Sequence, residues 1–127
     1  MTKAKPLIAI VDDEAPIRKA LTRLVRSFGL EVESFPSGAE FLESLSARQP
    51  DCLVLDLHMP FVNGFEVQSR LNESLLHLPV VIITGHDSVE TRARAMKRNP
   101  VAYLRKPVND QVLLEAIELA LGNSPAA

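Results

Sequence analysis

Several residues of this chain that could take part in chemistry lie at equivalent places in the sequence. Each follows the end of a short apolar run by one or two residues. They are Asp12, Asp13, Asp56, Thr84 and Lys106. Carboxylates that are brought together repel one another, and their pKa values rise unless a cation balances the charge. A hard divalent cation is the natural partner, and Mg²⁺ suits the set because it also accepts waters and a phosphoryl oxygen.

These side chains, together with the backbone of Gly85, are the parts needed to handle a phosphoryl group. A carboxylate can act as the nucleophile and become an aspartyl phosphate, and Asp56 is the candidate. Lysine, hydroxyl and backbone N–H donors would stabilise the charge on the transferred oxygens. Taken singly, each residue has an ordinary explanation: Asp12 or Asp13 could cap a helix, and Thr84 could bond to nearby backbone. Their joint occurrence at the ends of apolar runs favours a phosphoryl site.

The elements that must position these residues alternate between apolar runs and amphipathic segments. The apolar runs lie at 7–11, 30–35, 52–55, 80–83 and 101–104. Charged residues alternate with apolar ones in the second run, as expected for a strand near a sheet edge. Five strand–helix units predict an α/β fold, a doubly wound five-stranded parallel sheet of order 2-1-3-4-5 that is flavodoxin-like. Because ligands bind at the carboxyl ends of such strands, this fold would gather the candidate residues at one edge.

Local signals indicate where the helices begin and which side they bury. Ser37 and Asp87 are each followed three residues later by glutamate, which is the spacing of a capping box ahead of the second and fourth helices. Gly122 is placed at the end of the fifth helix. The buried stripe of the fourth helix is predicted at Val89, Ala93 and Met96.

Length and composition limit the classes of protein to consider. The chain has 127 residues, which suits one domain at 1–122, with 123–127 as a tail or the start of a linker. A formal net charge of −2 gives no reason to expect direct nucleic-acid contact. The single cysteine, Cys52, excludes an intramolecular disulfide framework and is expected to be a small buried hydrophobe. Neither a secretory leader nor an apolar stretch of about 20 residues is present, so we expect a cytoplasmic protein without membrane contact.

The whole pattern resembles the receiver domains of two-component response regulators, from residue 7 to about residue 121. In that family an acidic pair follows the first strand, an aspartate the third, a serine or threonine the fourth, and Lys-Pro the fifth. The matching residues here are Asp12-Asp13, Asp56, Thr84 and Lys106-Pro107. The segment from Asp56 through Met59-Pro60 to Gly64 also matches the family pattern Asp-x-x-Met-Pro-x-x-x-Gly. The stretch Thr84-Gly85-His86 is most similar to the FixJ-type subgroup of transcriptional regulators.

The resemblance implies a role for each residue of the site. Asp56 would accept the phosphoryl group from the phosphohistidine of a sensor histidine kinase. Asp13 and Asp56 would bind Mg²⁺ directly, Asp12 would act through water, and the main-chain carbonyl of His58 would be a further ligand. The Lys106 ammonium, the Thr84 hydroxyl and the Gly85 backbone would contact the phosphoryl oxygens, and the Lys106–Pro107 peptide would be cis. Apart from the resemblance, His58 and His86 lack the sequence spacing of metal ligands, and their side chains are expected to be exposed in loops near the site, where they would tune hydrolysis.

The resemblance also implies a switch and the surfaces that read it. Tyr103 falls at the aromatic switch position of the family, so Thr84 would move toward the phosphoryl group and Tyr103 would turn inward. That movement would reshape the face made by the fourth helix, the fifth strand and the fifth helix. Opposite charges on those two helices suit a phosphorylation-dependent homodimer. The kinase is expected to dock on the first helix near Ile17, Arg18 and Leu21.

The function expected is therefore a switch that controls transcription through an effector domain not present here, rather than an enzyme with turnover. Three other functions are compatible with parts of this pattern. A receiver-like interaction module that is never phosphorylated should lack one of the site residues, and none is missing. A flavodoxin-like FMN binder needs a phosphate loop after the first strand, where Asp12, Asp13 and Glu14 would repel phosphate. A haloacid-dehalogenase-type phosphatase would want an acidic residue two places after its nucleophile, where this chain has His58.

Overall fold

The computed structural model describes residues 5–74 and 77–122 as one alternating series of strands and helices. The strands are β1 (Leu7–Val11), β2 (Glu31–Phe35), β3 (Cys52–Asp56), β4 (Val80–Thr84) and β5 (Ala102–Arg105). The helices are α1 (Ala15–Ser27), α2 (Gly38–Ser44), α3 (Gly64–Glu73), α4 (Val89–Met96) and α5 (Asp110–Ala120). The segment 123–127, expected to be a tail or linker, lies outside the described residues.

The five strands form one parallel sheet in the order β2-β1-β3-β4-β5, which confirms the predicted fold. Every residue of β1 and β3 is buried, as continuous apolar runs in the middle of a parallel sheet should be. β2, in which charged residues alternate with apolar ones, is an edge strand as expected. Among the described residues, no helix has both the length and the apolar composition that crossing a membrane requires.

Alternate residues of the central strands supply two cores, one on each face of the sheet. Ile8 and Val54 point to the side covered by α1 and α5, where they pack with Val25 and Ile117. The residues between them pack on the other face against Phe41 of α2 and side chains of α3 and α4. Each fully buried aliphatic side chain contributes about 1.5–3 kcal/mol to the free energy of folding. The two cores fix the sheet, and the sheet fixes the edge where the candidate site lies.

Cys52 belongs to the core between the sheet and the α1–α5 side, as its apolar surroundings predicted. Its side chain is fully buried. Burial first, and the charge of Asp51 second, raise the pKa of the Cys52 thiol to about 12. The thiol is therefore protonated at neutral pH and acts as a small hydrophobe.

The helices begin mostly where the sequence indicates. The Ser37 hydroxyl accepts a hydrogen bond from the Glu40 N–H at 3.2 Å, as the predicted cap of α2 requires. Gly122 follows α5 with a φ of +76°, which glycine adopts without steric cost. At the start of α1 the N-cap is Glu14, and it makes no side-chain cap bond. The acidic pair before it is therefore not used to cap that helix.

The prediction for α4 was wrong in two respects. Ser88, not Asp87, is the N-cap, and its hydroxyl accepts the N–H of Thr91 at 3.0 Å. The predicted stripe is exposed, with Val89 at 83% and Met96 at 41% relative exposure and Ala93 exposed as well, whereas Ala95 is fully buried. The helix has 8 residues and faces the sheet with its small residue, because a small side chain lets the backbone approach closely. Hydropathy alone favours the larger apolar residues, which are exposed.

Candidate functional site

The sheet brings three polar side chains to its carboxyl edge and buries them there. Asp12 follows β1, Asp56 is the last residue of β3, and Thr84 is the last residue of β4. Their relative exposures are 0%, 2% and 0%. Buried polar groups are rare unless they are paired or used, so this edge is where function is to be sought.

Asp12, Asp13 and Asp56 form the acidic cluster that the sequence predicted. One carboxylate oxygen from each residue lies within 4.8 Å of the others, and this is the cluster of possible metal ligands found in residues 5–74 and 77–122. Oδ1 of Asp12 accepts the N–H of Glu14 at 2.8 Å, which holds that carboxylate in place. Burial first, and the charge of Asp12 second, raise the pKa of Asp56 to about 6. A divalent cation would relieve this cost, so the donor set fits a hard ion such as Mg²⁺.

Lys106 reaches from the loop after β5 into the acidic cluster. Its Nζ lies 2.8 Å from Oδ2 of Asp12 and 3.5 Å from Oδ1 of Asp56. Burial disfavours the ammonium charge, but the bond to Asp12 and the charge of Asp56 outweigh it and raise the pKa of Lys106. The Lys106–Pro107 peptide is cis, as expected. The lysine thus balances part of the negative charge of the cluster.

Glu14 is a member of the site that the sequence analysis did not assign. Its Oε1 lies 3.1 Å from Nζ of Lys106, so the lysine meets a third carboxylate at the rim of the cluster. The signal was present in the sequence, since Glu14 directly extends the acidic pair. In the sequence, Glu14 indicates only that the loop after the first strand would repel phosphate.

Thr84 and Gly85 lie beside the lysine at the end of β4. The Thr84 hydroxyl oxygen accepts the N–H of His86 at 3.1 Å. A methyl group built on Gly85 would have the Lys106 Cδ at 3.8 Å as its nearest neighbour, so the two residues flank the same space. The structure therefore brings the predicted hydroxyl, backbone and ammonium groups to one place.

His58 and His86 are exposed in loops, as expected, but they also touch each other. Their ring centroids are 4.8 Å apart with an interplanar angle of 77°. The N–H of His58 approaches Oδ1 of Asp56 at 3.4 Å. Burial first, and the charge of His86 second, lower the pKa of His58. The sequence does not predict this contact between the loops after β3 and β4, because it depends on how the two loops are oriented.

Tyr103 is half-buried on β5, and its hydroxyl is hydrogen-bonded to a residue that does not belong to the acidic cluster. It donates a hydrogen bond of 2.8 Å to Oδ1 of Asp87, the residue wrongly predicted to cap α4. The guanidinium of Arg92 lies 5.1 Å from the Tyr103 ring centroid, within the range of a cation–π contact. Burial first, and the bond to Asp87 second, raise the pKa of Tyr103 to about 12.

Comparison with known proteins decides the family. The model of the response regulator receiver domain family matches residues 8–118. The chain belongs to this family. The acidic cluster, the lysine and the threonine at the end of β4 are therefore parts of a receiver domain.

Relatives of this receiver domain include several regulators. It is 40% identical over 116 residues to nodulation protein W of Bradyrhizobium diazoefficiens, which covers 91% of this chain and 51% of that protein. It is 37% identical to the transcriptional regulatory protein FixJ of Rhizobium meliloti, covering 94% of this chain and 59% of that protein. The chain spans about half the length of the curated relatives it matches.

Solved structures show the same fold at similar identity. A response regulator receiver protein from Burkholderia phymatum is 43% identical with a TM-score of 0.82, and the match covers 93% of this chain and 96% of that one. The response regulator StyR is 42% identical with a TM-score of 0.83, and the match covers 94% of this chain and 60% of that one.

Proposed function

We propose that this receiver domain accepts a phosphoryl group on Asp56 from the phosphohistidine of a sensor histidine kinase. The observation that carries the proposal is the position of Asp56, whose buried carboxylate belongs to the acidic cluster and has its Oδ1 3.5 Å from the Lys106 ammonium. A buried carboxylate with a raised pKa, flanked by a cation and by ligands for another, is equipped for phosphoryl chemistry.

The acidic cluster would hold Mg²⁺ through this chain's own oxygens. Asp13 and Asp56 would be direct ligands, Asp12 would act through water, and the main-chain carbonyl of His58 would complete the protein's share. Mg²⁺ bound there supplies positive charge that offsets the repulsion between a carboxylate and an incoming phosphoryl group. Asp12 is fully buried and already bonded to Glu14 and Lys106, which favours an orienting role.

Phosphoryl transfer would exchange one bond for another. An Asp56 carboxylate oxygen forms the new bond to phosphorus while the bond between phosphorus and the donor's imidazole nitrogen breaks. The imidazole takes up a proton and leaves as a neutral ring. Lys106, the Thr84 hydroxyl and the Gly85 N–H would stabilise the charge on the transferred oxygens. The chain would act once per phosphorylation and lose the group by hydrolysis, so it is a switch and not a turnover enzyme.

The switch would run from Thr84 to Tyr103. The Thr84 hydroxyl now accepts the N–H of His86, and turning it toward a phosphoryl oxygen would break that bond. The loop that carries His86 also carries Asp87, the acceptor for the Tyr103 hydroxyl. Movement of this loop would release Tyr103 to turn inward and reshape the α4–β5–α5 face. A charge added at one site would thereby change a surface at another.

The surface next to Lys106 suits the kinase. An apolar groove of about 490 Å³ runs between α1 and the loop after β5, with Ile17, Leu21 and Pro107 on its walls. The guanidinium of Arg18, also on α1, donates a hydrogen bond of 2.8 Å to the main-chain carbonyl of Asp12, so α1 is joined to the acidic cluster. A helix bearing a phosphohistidine could lie in this groove with its imidazole directed at Asp56.

The α4–β5–α5 face would carry the output, through a phosphorylation-dependent homodimer and control of transcription in the cytoplasm. Val89 and Met96 of α4 and Leu119 of α5 are exposed there. Relatives named transcriptional regulatory proteins support the role in transcription. Sedimentation of phosphorylated and unphosphorylated protein tests the dimer, and a monomer in both states would refute it.

Intact mass measured after incubation with a small phosphoryl donor and Mg²⁺ tests the phosphorylation itself. The wild type should gain one phosphoryl group only when Mg²⁺ is present, and Asp56→Asn should gain none. Asp110→Asn, which removes an exposed carboxylate at the start of α5, is the matched control and should be labelled like the wild type. If neither the small donor nor a kinase labels the wild type, the chain is an unphosphorylated interaction module instead.

A further inference from the structure

His58 and His86 form a pair of imidazoles in loops next to Asp56 and Thr84, and phosphoryl transfer as described above gives their side chains no task. The rings come from different loops, those after β3 and β4, and lie edge to face with centroids 4.8 Å apart. Both residues are exposed, so their nitrogens are within reach of an ion from solvent. Imidazole is the commonest protein ligand for zinc, copper and nickel.

The spacing of the two rings fits coordination of a single ion. A zinc–nitrogen bond is about 2.0–2.1 Å long, so the centre of a bound imidazole lies about 3 Å from the ion. Two imidazoles held at a tetrahedral angle then have centroids about 5 Å apart. The observed centroid separation of 4.8 Å is close to that value.

The surroundings of His58 also favour a metal. A cavity of about 410 Å³ opens beside His58, with Asn63 and Glu90 on its wall. It leaves room for water ligands and offers side-chain oxygens nearby.

We propose that His58 and His86 form a second metal site, distinct from the carboxylate cluster, which takes a borderline transition-metal ion such as Zn²⁺. The two sites divide by ligand chemistry: carboxylate oxygens suit Mg²⁺, and imidazole nitrogens suit Zn²⁺. Two protein ligands make an open site, with water completing the shell.

Occupation of this site would tie the loop after β4, which the switch must move, to the loop after β3, an effect that rests on the proposed function. The N–H of His58 approaches Asp56 Oδ1 at 3.4 Å, and the N–H of His86 donates to the Thr84 hydroxyl oxygen at 3.1 Å. An ion bridging the two rings would tie the backbone near the phosphoacceptor to the backbone near the switch threonine. Zn²⁺ would thereby slow phosphorylation.

Calorimetric titration with Zn²⁺ in excess Mg²⁺, which keeps the carboxylate cluster filled, tests the site directly. We expect one equivalent to bind, with at least about tenfold weaker affinity in His58→Gln and in His86→Gln. His77→Gln is the matched control, since His77 is also exposed but precedes β4 at the opposite end of the strand. The ring proton resonances of the 3 histidines give a second readout, because only those of His58 and His86 should shift with Zn²⁺.

The outcomes separate this site from the others. Unchanged Zn²⁺ affinity in both glutamine variants would overturn the proposal, and so would a loss seen in Asp13→Asn and in neither of them. A loss in His77→Gln equal to that in the other variants would also overturn it. The regulatory effect is measured as the phosphorylation rate with Zn²⁺ divided by the phosphorylation rate without Zn²⁺, for each protein. Only the wild type and His77→Gln should show a ratio well below one. Absence of labelling without Zn²⁺ would refute the proposed function and leave the binding result standing.

Discussion

The Tyr103 hydroxyl donates a 2.8 Å hydrogen bond to Oδ1 of Asp87, and this bond joins β5 to the loop that precedes α4. Arg105 lies 3.9 Å from the same carboxylate, so Asp87 lies between the side chains of two β5 residues. His86, the neighbour of Asp87, donates to Thr84 at the end of β4. One short loop therefore contacts both residues proposed to switch.

Removal of the Asp87 charge should make Tyr103 easier to ionise. Burial and the bond to Asp87 raise the pKa of Tyr103 to about 12. Asp87→Asn should lower this pKa toward the ordinary value, though not all the way, because burial is the larger cause. Ultraviolet absorbance against pH measures it cleanly, since the chain has 1 tyrosine and no tryptophan. Asp110→Asn should leave the titration unchanged, and an equal shift in both variants would mean that general charge, rather than the bond, is responsible.

Without Mg²⁺, Asp56→Asn should be more stable than the wild type at neutral pH. Burial and the charge of Asp12 raise the pKa of Asp56 from 3.8 to about 6. The folded state thus holds this proton more tightly, and the resulting stabilisation is complete below 3.8 and lost as pH rises through about 6. The wild type should lose up to about 3 kcal/mol relative to the variant over this range.

Urea denaturation of both proteins at a series of pH values checks this dependence. Saturating Mg²⁺ should reduce the difference at neutral pH, because a bound cation stabilises the Asp56 carboxylate in the folded state. A difference between the two proteins that stays constant from acid to neutral pH would contradict the prediction.

Lys106→Met should destabilise the protein when Mg²⁺ is scarce. The variant leaves Oδ2 of the fully buried Asp12 without the ammonium that now lies at 2.8 Å. Breaking a buried ion pair in this way costs about 3 kcal/mol. Mg²⁺ should raise the melting temperature of the variant more than that of the wild type, because the variant's carboxylates have lost their protein cation. Lys19→Met, on the exposed side of α1, should behave like the wild type.

Gly64→Ala should disturb the backbone on either side of the phosphoacceptor. A Cβ at position 64 would lie 2.5 Å from the Asp56 carbonyl oxygen and 2.7 Å from the Leu57 Cα, so the backbone would have to shift. We expect a loss of about 1–3 kcal/mol in the free energy of unfolding. Gly85→Ala is the comparison, since its Cβ would meet nothing nearer than 3.8 Å. Equal stability losses in thermal unfolding would show that the close approach at Gly64 is not the cause.

The sheet and the acidic cluster could be predicted because they depend on strand order alone. Once five apolar runs are read as parallel strands, Asp56 and Thr84 must lie at the same edge, whatever the loops do. The positions of Asp12 and Lys106 follow in the same way. These positions agree with the structure because the pattern of an apolar run followed by a polar residue is repeated along the chain. The prediction therefore does not depend on any single residue.

The features that were missed depend on how loops and short helices are oriented. α4 buries Ala95 and exposes Val89, because contact with the sheet outweighs hydropathy in a helix of 8 residues. Asp87 was assigned to a cap by its spacing from Glu90, but Ser88 takes that place and Asp87 binds Tyr103 instead. No periodic pattern carries information of this kind.

The burial of Cys52 makes the chain well suited to site-specific probes. The Cys52 thiol is enclosed by the core, and burial raises its pKa to about 12, which keeps it protonated and unreactive toward alkylating reagents at neutral pH. A cysteine introduced at an exposed position, such as Met96→Cys on α4, would therefore be the one that takes up a fluorophore or spin label. Two such labels, one on α4 and one on α1, would report the distance between the proposed output face and the groove proposed to bind the kinase, without first removing the natural cysteine.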